Sequence, residues 1–435
     1  MNHVEFTGSF NTWFYQNNRL IQVMANVKLL EDQDFKEYVR LSLEAYPAMF
    51  TSFSDEQADG WIKRMQEQQA KGAEILYFGY FRDGKLLGAM RVHIFEINVY
   101  GVEMSAGGVG NVCVDLVHKK EHIAKEMMEY YHEYFREKGV PLLLLWPFRH
   151  NFYMKMGYGY ARKYNKYMYK PEDLPRGSKM GVAFMGETDI DDMLDCFNKY
   201  ASVTHGMIYK SRRFFERFIK RFKVIGYRNG DRVEGFMGFN FKRLDPDNPL
   251  RQHIEIEYMV YENPTALSRL LAFLQTQLDQ VERVVFMTYD DDLHYVSKDP
   301  RNGVPHIFYI NQESNVQGLG IMYRILNKEL FFKELAPYNF NGENIRVRFE
   351  VHDSFVPEND GAIIVHFVDG RPKVAEGSDV TVSLNIEYLS SLLMGVVDFR
   401  KLWTYGLLEL SDETYLDQLD RLFHVQRKPE TIEEF

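Results

Sequence analysis

Between residues 109 and 158 the spacing of apolar positions changes period three times. Val109, Val112, Cys113 and Val114 form a β-branched run over 109–114 that predicts a buried strand. Residues 115–121 are of mixed polarity and hold His118, Lys119 and Lys120 in a row. Ile123, Ala124, Met127, Met128, Tyr131, Tyr134 and Phe135 then recur at helical spacing and predict an amphipathic helix. Gly139 and Pro141 stop it, and the leucines at 142–145 predict a second buried strand. The unit is strand, basic turn, helix, strand. A helix that begins at a strand end offers unpaired N–H groups and the positive end of its dipole, which together bind anions such as phosphate. Lys119 and Lys120 add charge there. The same pattern also describes an ordinary crossover helix with a solvated basic turn.

The pattern extends over the whole chain. A strand at 27–30 precedes a helix, capped by Asp32 or Asp34, that ends near Ala45 before Pro47. Ser54, followed by Asp55, Glu56 and Gln57, predicts a capped helix running to Lys71 and stopped by Gly72. Strands at 75–81 and 86–95 flank a tight turn at 82–85, and Tyr100-Gly101 turns the chain into the strand described above. A short helix at 148–156 and a strand at 160–169 finish this unit before Pro171 and Pro175. A weaker echo follows: a helix from Thr188 or Asp189 to Tyr200, strands at 223–228 and 233–241 around Asn229-Gly230, a strand at 254–260, a Glu262-Asn263-Pro264 turn, a helix at 265–281 and a strand at 283–288. The last stretch reads as a helix at 323–334, strands at 345–352, 361–368 and 380–385, and helices at 386–394, 398–405 and 414–423.

Composition narrows the class. At 435 residues the chain predicts roughly three domains. Hydrophobic content of 45% and charged content of 26% are those of a soluble globular protein, whereas 15% aromatic content predicts wide pockets or sizeable subunit interfaces. A net charge of −10 argues against a nucleic-acid binder and suits a cationic ligand. Cys113 and Cys196 have no CxxC spacing, so neither a disulfide framework nor a zinc site is expected, and a reducing cytoplasm is. No apolar run approaches the ~20 residues of a membrane span. Residues 1–23 fit no periodic element. Asp290, Asp291 and Asp292 with His294 have metal-binding chemistry, but a solvated acidic loop is the reading preferred here.

The element order over 27–169 resembles the GCN5-related N-acetyltransferases (GNAT), in which the strand, turn and helix of 107–125 form the acetyl-CoA site. The family's pyrophosphate loop maps onto residues 119–124. Lys119 keeps its charge and Ala124 its small last residue, while His122 stands where the family has glycine and Glu121 adds a negative charge. The resemblance implies a loop lying slightly farther out, with His122 or Lys120 reaching the cofactor and Ile123 and Ala124 opening the helix. The second unit looks like a degenerate copy without a cofactor, and the last resembles the sterol-carrier-protein fold. The fold class is thus α/β (α+β), with tandem GNAT-like domains before a sterol-carrier-like domain. The expected parts are an extension over 1–23, GNAT-like units over 24–175 and 176–314, and the last domain over 315–435.

This order resembles the Eis (enhanced intracellular survival) N-acetyltransferases, supported by Leu144-Leu145-Trp146-Pro147-Phe148, by the run from Asn151 to Gly159, and by the aromatic Phe435. The resemblance implies acetyl transfer from acetyl-CoA to an amine of a small cationic molecule, of the aminoglycoside or polyamine kind. Tyr153 would protonate the leaving thiolate, and the terminal carboxylate of Phe435 would serve as base. Val112, Cys113 and Val114 would contact the acetyl and pantetheine groups beside a β-bulge, and no metal is implied. Family members form trimers paired into hexamers. The competing readings are a packing role for Tyr153, a solvated Glu-rich tail, and a non-catalytic ligand-binding or assembly protein on the same scaffold.

Overall fold

The computed structural model describes residues 25–49, 54–70, 72, 74–304, 307–308 and 311–432, so the extension at 1–23 and Phe435 lie outside the described residues. The first unit runs β1 (Val27–Leu29), α1 (Phe35–Ala45), α2 (Asp55–Ala70), β2 (Ile75–Arg82), β3 (Lys85–Val99), β4 (Val102–Val114), α3 (Ile123–Glu137), β5 (Leu142–Leu145), α4 (His150–Met154) and β6 (Gly159–Tyr160). Local chemistry sets these boundaries. Ser54 and Gln57 bond each other's backbone N–H reciprocally, at 2.9 and 3.3 Å, and so start α2. Asp83 (φ 51°) and Gly84 (φ 74°) take the left-handed geometry that a two-residue hairpin requires.

The second unit contains β7 (Lys163–Tyr169), β8 (Val182–Phe184), α5 (Ile190–Val203), α6 (Arg212–Arg221), β9 (Lys223–Asn229), β10 (Arg232–Arg243), β11 (Gln252–Tyr261), α7 (Pro264–Gln275), β12 (Arg283–Thr288), β13 (Ile307–Phe308), β14 (Asn311–Gln312) and β15 (Asn315–Leu319). It is followed by β16 (Met322–Ile325), α8 (Lys328–Glu334), β17 (Ile345–His352), β18 (Gly361–Val368), β19 (Arg371–Val374), β20 (Val380–Asn385), α9 (Ile386–Leu393), α10 (Phe399–Thr404), β21 (Leu408–Leu410) and α11 (Leu416–Leu422). The helix α6 is absent from the sequence reading. The helix expected over 265–281 ends at Gln275.

Two larger corrections concern where strands go. The single strand expected over 160–169 breaks at Ala161-Arg162. Its first piece, β6, stays in the first sheet, whose order is β1-β2-β3-β4-β5-β16-β6. Its second piece, β7, crosses into the second sheet, β15-β7-β12-β11-β10-β9-β8. In exchange β16, expected as the start of a helix, inserts between β5 and β6, with Met322 opposite Leu145 and Tyr160. Boundaries at 175 and 314 therefore separate strands from the sheets they complete. The period was misread because β16 is buried on both faces. Met322 joins the core under α3, while Tyr323 and Ile325 join the core on the other face, so no polar alternation marks the strand.

That second face is where the last unit docks. Ile97, Val99, Met104, Ala106, Leu142 and Leu144 of the first sheet form one continuous core with residues of β17 and α9 such as Val347, Phe349, Leu389 and Leu393. The hydroxyl of Ser390 accepts from the Ile325 N–H (3.0 Å) and that of Ser391 donates to the Tyr160 carbonyl (2.8 Å), so α9 covers the sheet end. On the opposite face α3 buries Ile123, Met127, Met128, Tyr131 and Phe135 against Val92, Val109, Leu143 and Leu145. A Cβ at Gly107 would stand 2.6 Å from the Phe135 ring, so only glycine lets the helix lie this close.

One buried ion pair ties these parts together. Arg324 of β16 and Asp353, just after β17, are both fully buried, with Nη2 2.7 Å from Oδ2. Arg324 also donates from Nη1 to the Met156 carbonyl at 2.6 Å. Asp353 further accepts from the Val356 N–H and the Asn359 amide. Gly157 passes beneath the guanidinium at φ 80°, where a Cβ would lie 1.5 Å from Nη1. Replacing Asp353→Ala strands the guanidinium in the core. Destabilisation by about 3–5 kcal/mol is expected, seen as a lowered chemical-unfolding midpoint. A midpoint within error of the wild type would show that the pair holds nothing together.

Candidate active site

The parallel strands β4 and β5, joined by α3, pair only from Ala106↔Leu142 to Val109↔Leu145. Trp146-Pro147 then ends β5, while β4 continues to Val114 against β3 alone. The two strands part, and the edge of β4 beyond Val109 loses its β5 partner.

This edge carries a β-bulge. Cys113 pairs with Ala89 but Gly110 pairs with Arg91, so Asn111 and Val112 together face Met90. Asn111 sits at φ 47°, a left-handed geometry that asparagine tolerates better than most residues. Its amide donates to Tyr38 Oη (2.5 Å) and Ser42 Oγ (2.9 Å) of α1, and Tyr46 Oη donates to the Val112 carbonyl (2.8 Å). The extra residue reverses the in-out parity of the strand. Val112 and Val114 pack with the α3-side core, and Cys113 turns under α1. The Cys113 thiol lies 3.8 Å from Ser42 Oγ, and burial pushes its pKa up to about 12. It is an inert core thiol, so only its backbone is available to a ligand.

The turn after β4 brings the other expected residues to the start of α3. Lys119, Lys120 and His122 are exposed, Ile123 is buried and Ala124 is half-buried. His122 holds the left-handed geometry (φ 66°, ψ 5°) that a glycine would supply, and its carbonyl accepts from the Glu126 N–H at 2.9 Å to open the helix. Glu121 is drawn aside by Arg82 at 2.6 Å. The two departures from the loop pattern thus have local remedies: histidine is among the side chains that tolerate this conformation, and the added carboxylate carries its own cation.

Tyr153, on the short α4, is 3% exposed and packs against Phe148, Phe152 and Tyr158 with centroids 6.0, 5.1 and 6.1 Å away. Burial, and secondarily Tyr46, raises its pKa above the ordinary phenol value. Tyr153 is thus an un-ionised phenol, and its electrostatic partner Tyr46 is the residue bonded to the Val112 carbonyl. Behind it, Tyr158 Oη meets His132 Nε2 at 2.8 Å, and Arg324 fixes the carbonyl of Met156.

The chain's last described residues are pinned beside this unit. The Glu430 N–H donates to the His205 carbonyl (2.8 Å). Thr431, 1% exposed, bonds the Gly206 carbonyl and the Tyr323 hydroxyl, each at 2.7 Å. Ile432 packs against the second-unit core. Within the described part of the tail, residues 429–432 are anchored, whereas Lys428 is exposed.

Close by, a cavity of about 640 Å³ opens between β3 and α6, lined among others by Arg91, His93, Phe95, Lys210, Phe214 and Arg217. Arg91 lies opposite Gly110, the residue before the bulge. The second unit repeats the strand-helix-strand crossover with β11, α7 and β12 but has carboxylates at its turn. Glu262 pairs with Arg232 at 2.7 Å, and Glu234 accepts from Asn263 at 2.8 Å. In the acidic loop, Asp291 binds Arg162 and Asn165, each at 2.9 Å. Among the described residues no group of three or more His, Cys, Asp or Glu could hold a metal ion.

Sequence reading missed Asn111, its partners Tyr38, Ser42 and Tyr46, and the whole of α6. A turn-forming asparagine after glycine inside a valine-rich strand was the available signal for the bulge. An Asn111→Val substitution puts a β-branched residue at φ 47°. Destabilisation by about 1–3 kcal/mol is expected on thermal unfolding. No loss would mean that the bulge is not held by this residue.

Comparison with known proteins agrees with this layout. Residues 26–161 and 206–325 match two acetyltransferase (GNAT) domain families, and residues 332–431 match a sterol carrier protein domain. No curated relative matches the chain in sequence. Among solved structures, a probable N-acyltransferase from Enterococcus faecalis V583 superposes with a TM-score of 0.77 at 18% identity. A GCN5-related N-acetyltransferase from Anabaena variabilis ATCC 29413 gives 0.78 at 16%. Eis1 from Mycobacterium abscessus gives 0.72 at 16%. Each similarity spans 94% of this chain and 99% of the other, so the whole three-part fold is shared. The chain therefore carries two acetyltransferase (GNAT) domains followed by a sterol carrier protein domain.

Proposed function

We propose that the chain transfers an acetyl group from acetyl-CoA directly to a primary amine of a small molecule, using the first unit. One observation carries this reading: β4 parts from β5 at Val109↔Leu145, and the freed edge is bulged at Asn111-Val112. Backbone groups at Val112, Cys113 and Val114 suit an extended pantetheine chain and a thioester carbonyl. The first turn of α3 at Ile123 and Ala124, with Lys119, Lys120 and His122, suits the pyrophosphate.

In the proposed step the neutral amine attacks the thioester carbonyl. The tetrahedral intermediate expels the CoA thiolate, which takes the Tyr153 proton. The new ammonium gives its proton to the terminal carboxylate of Phe435, a role proposed from the family resemblance. A phenol raised by burial is a weak acid in water. A thiolate formed in a dry site is likewise a stronger base than in water, which favours its protonation by a buried phenol. The conformation of His122 and the pairing of Glu121 support a working loop over a decayed one.

The acceptor was expected to be a polycation of the aminoglycoside or polyamine type. The net charge of −10 favours such a molecule at long range, but the cavity beside the bulge is basic. The proposal therefore keeps the amine and leaves the rest of the acceptor to the cavity. Assembly into trimers and hexamers is proposed from the family resemblance.

Calorimetric titration of the full chain with acetyl-CoA is expected to show saturable binding, and no binding at millimolar cofactor would sink the reading. Tyr153→Phe is expected to lower kcat by about 10²–10⁴ with cofactor affinity nearly unchanged. Deleting Phe435 is expected to act the same way. Unaltered turnover in either variant would remove that residue from the mechanism.

A further inference from the structure

The cavity between β3 and α6 has a charge that acetyl transfer does not call for. Arg91, Lys210, Arg217 and Arg221 line it against two carboxylates, Glu74 and Glu96. Both carboxylates accept hydrogen bonds from serines, Ser211 at 3.5 Å and Ser105 at 2.9 Å. The basic groups act on one another. Burial first, then Arg91, Lys210 and Arg217, lower the His93 pKa, and burial with Arg217 lowers that of Lys210 to about 7. Like charges gathered in one partly buried cleft repel, and a bound anion relieves that repulsion. Arg91 Nε is buried without a hydrogen-bond partner among the described residues, although buried polar atoms are usually satisfied. The remaining walls are largely aromatic, including Phe95, Phe214 and Tyr258. About 640 Å³ is the size of a small-molecule site.

We propose that this cavity binds a small aromatic organic anion, carboxylate or phosphate, between Arg91 and Arg217, and that the acetyl acceptor is an amine of that kind. Arginine offers planar, paired donors that match either oxyanion. The ring lies against the aromatic walls, and the amine points toward Gly110 and the bulge. Binding to the cavity is independent of the acetyl-transfer reading, and only the acceptor role rests on it.

The test is calorimetry on the full chain with phenylacetate, phenyl phosphate and phenethylamine. At least one anion is expected to bind about tenfold or more tightly than phenethylamine, and comparing the two anions identifies the preferred oxyanion. Arg217 is exposed, so Arg217→Gln leaves the fold intact. It is expected to weaken that anion about tenfold, Arg217→Lys to restore part of the loss, and acetyl-CoA affinity to stay the same. Absence of anion binding at millimolar concentration, equal or tighter binding of phenethylamine, or an unchanged affinity in Arg217→Gln would each overturn the site. With acetyl-CoA present, L-phenylalanine is expected to exceed phenethylamine about tenfold in kcat/KM if the anion is a carboxylate, and O-phosphotyrosine to exceed tyramine if it is a phosphate. The reverse order would overturn the acceptor role. A chain that binds no acetyl-CoA would defeat the catalytic reading and still leave the anion titration to decide the cavity.

Discussion

The structure turns on a guanidinium with no access to solvent. Arg324 comes from a strand that enters the first sheet only after the chain has built the second, and its partner Asp353 belongs to the sterol carrier unit. A charge buried this deeply is tolerable only when it is paired and hydrogen-bonded, and Asp353 with the Met156 carbonyl meets that demand at the two terminal nitrogens, Nε alone staying without a partner among the described residues. The first and last units are therefore conditions for one another. The first sheet is incomplete without β16, β16 carries a charge that needs the third unit, and the Met156-Gly157 turn after α4 is shaped around that charge.

The same turn follows Tyr153, the acid proposed above for the transfer step. A reactive group must be held within a fraction of an ångström to contribute, and loops alone rarely do this. Here the floor is a packed ladder: Arg324 beneath Met156, the His132–Tyr158 bond beside it, and aromatic rings around the phenol. The bulge is held from the other side of the sheet by Tyr38, Ser42 and Tyr46 of the α1 region. Electrostatics divide similarly. The molecule is acidic as a whole, yet its large cavity is basic, because local charge placement and global charge are independent properties of a surface.

Much of the fold was legible from periodicity, and the reasons are local. The helix from Ile123 and the alternating strands at 345–352, 361–368 and 380–385 have patterns that only one element satisfies, and the strands at 142–145 and 283–288 were legible as short apolar runs between turn signals. The hairpin at Asp83-Gly84 and the cap at Ser54 rest on residues within three positions of each other. The basic loop at 119–124 was legible as a turn leading into a helix, whereas by pattern alone Tyr153 was a packing aromatic and only the family resemblance gave it a chemical role.

What the sequence determined by itself, then, was the order of elements, the strand-helix-strand crossover and the residue types of the candidate site. Tertiary structure alone decided which sheet each strand joined. Neighbouring β6 and β7 separate, and β16 returns across more than 150 residues, because backbone pairing depends on edges that exist only after other strands have formed. It also decided the parity of β4. One extra residue at Asn111 turns Cys113 away from the site and Val112 toward it, a choice made by hydrogen bonds to α1 that no local pattern contains. The basic cavity, assembled from β3 and a helix more than 100 residues later, was invisible for the same reason.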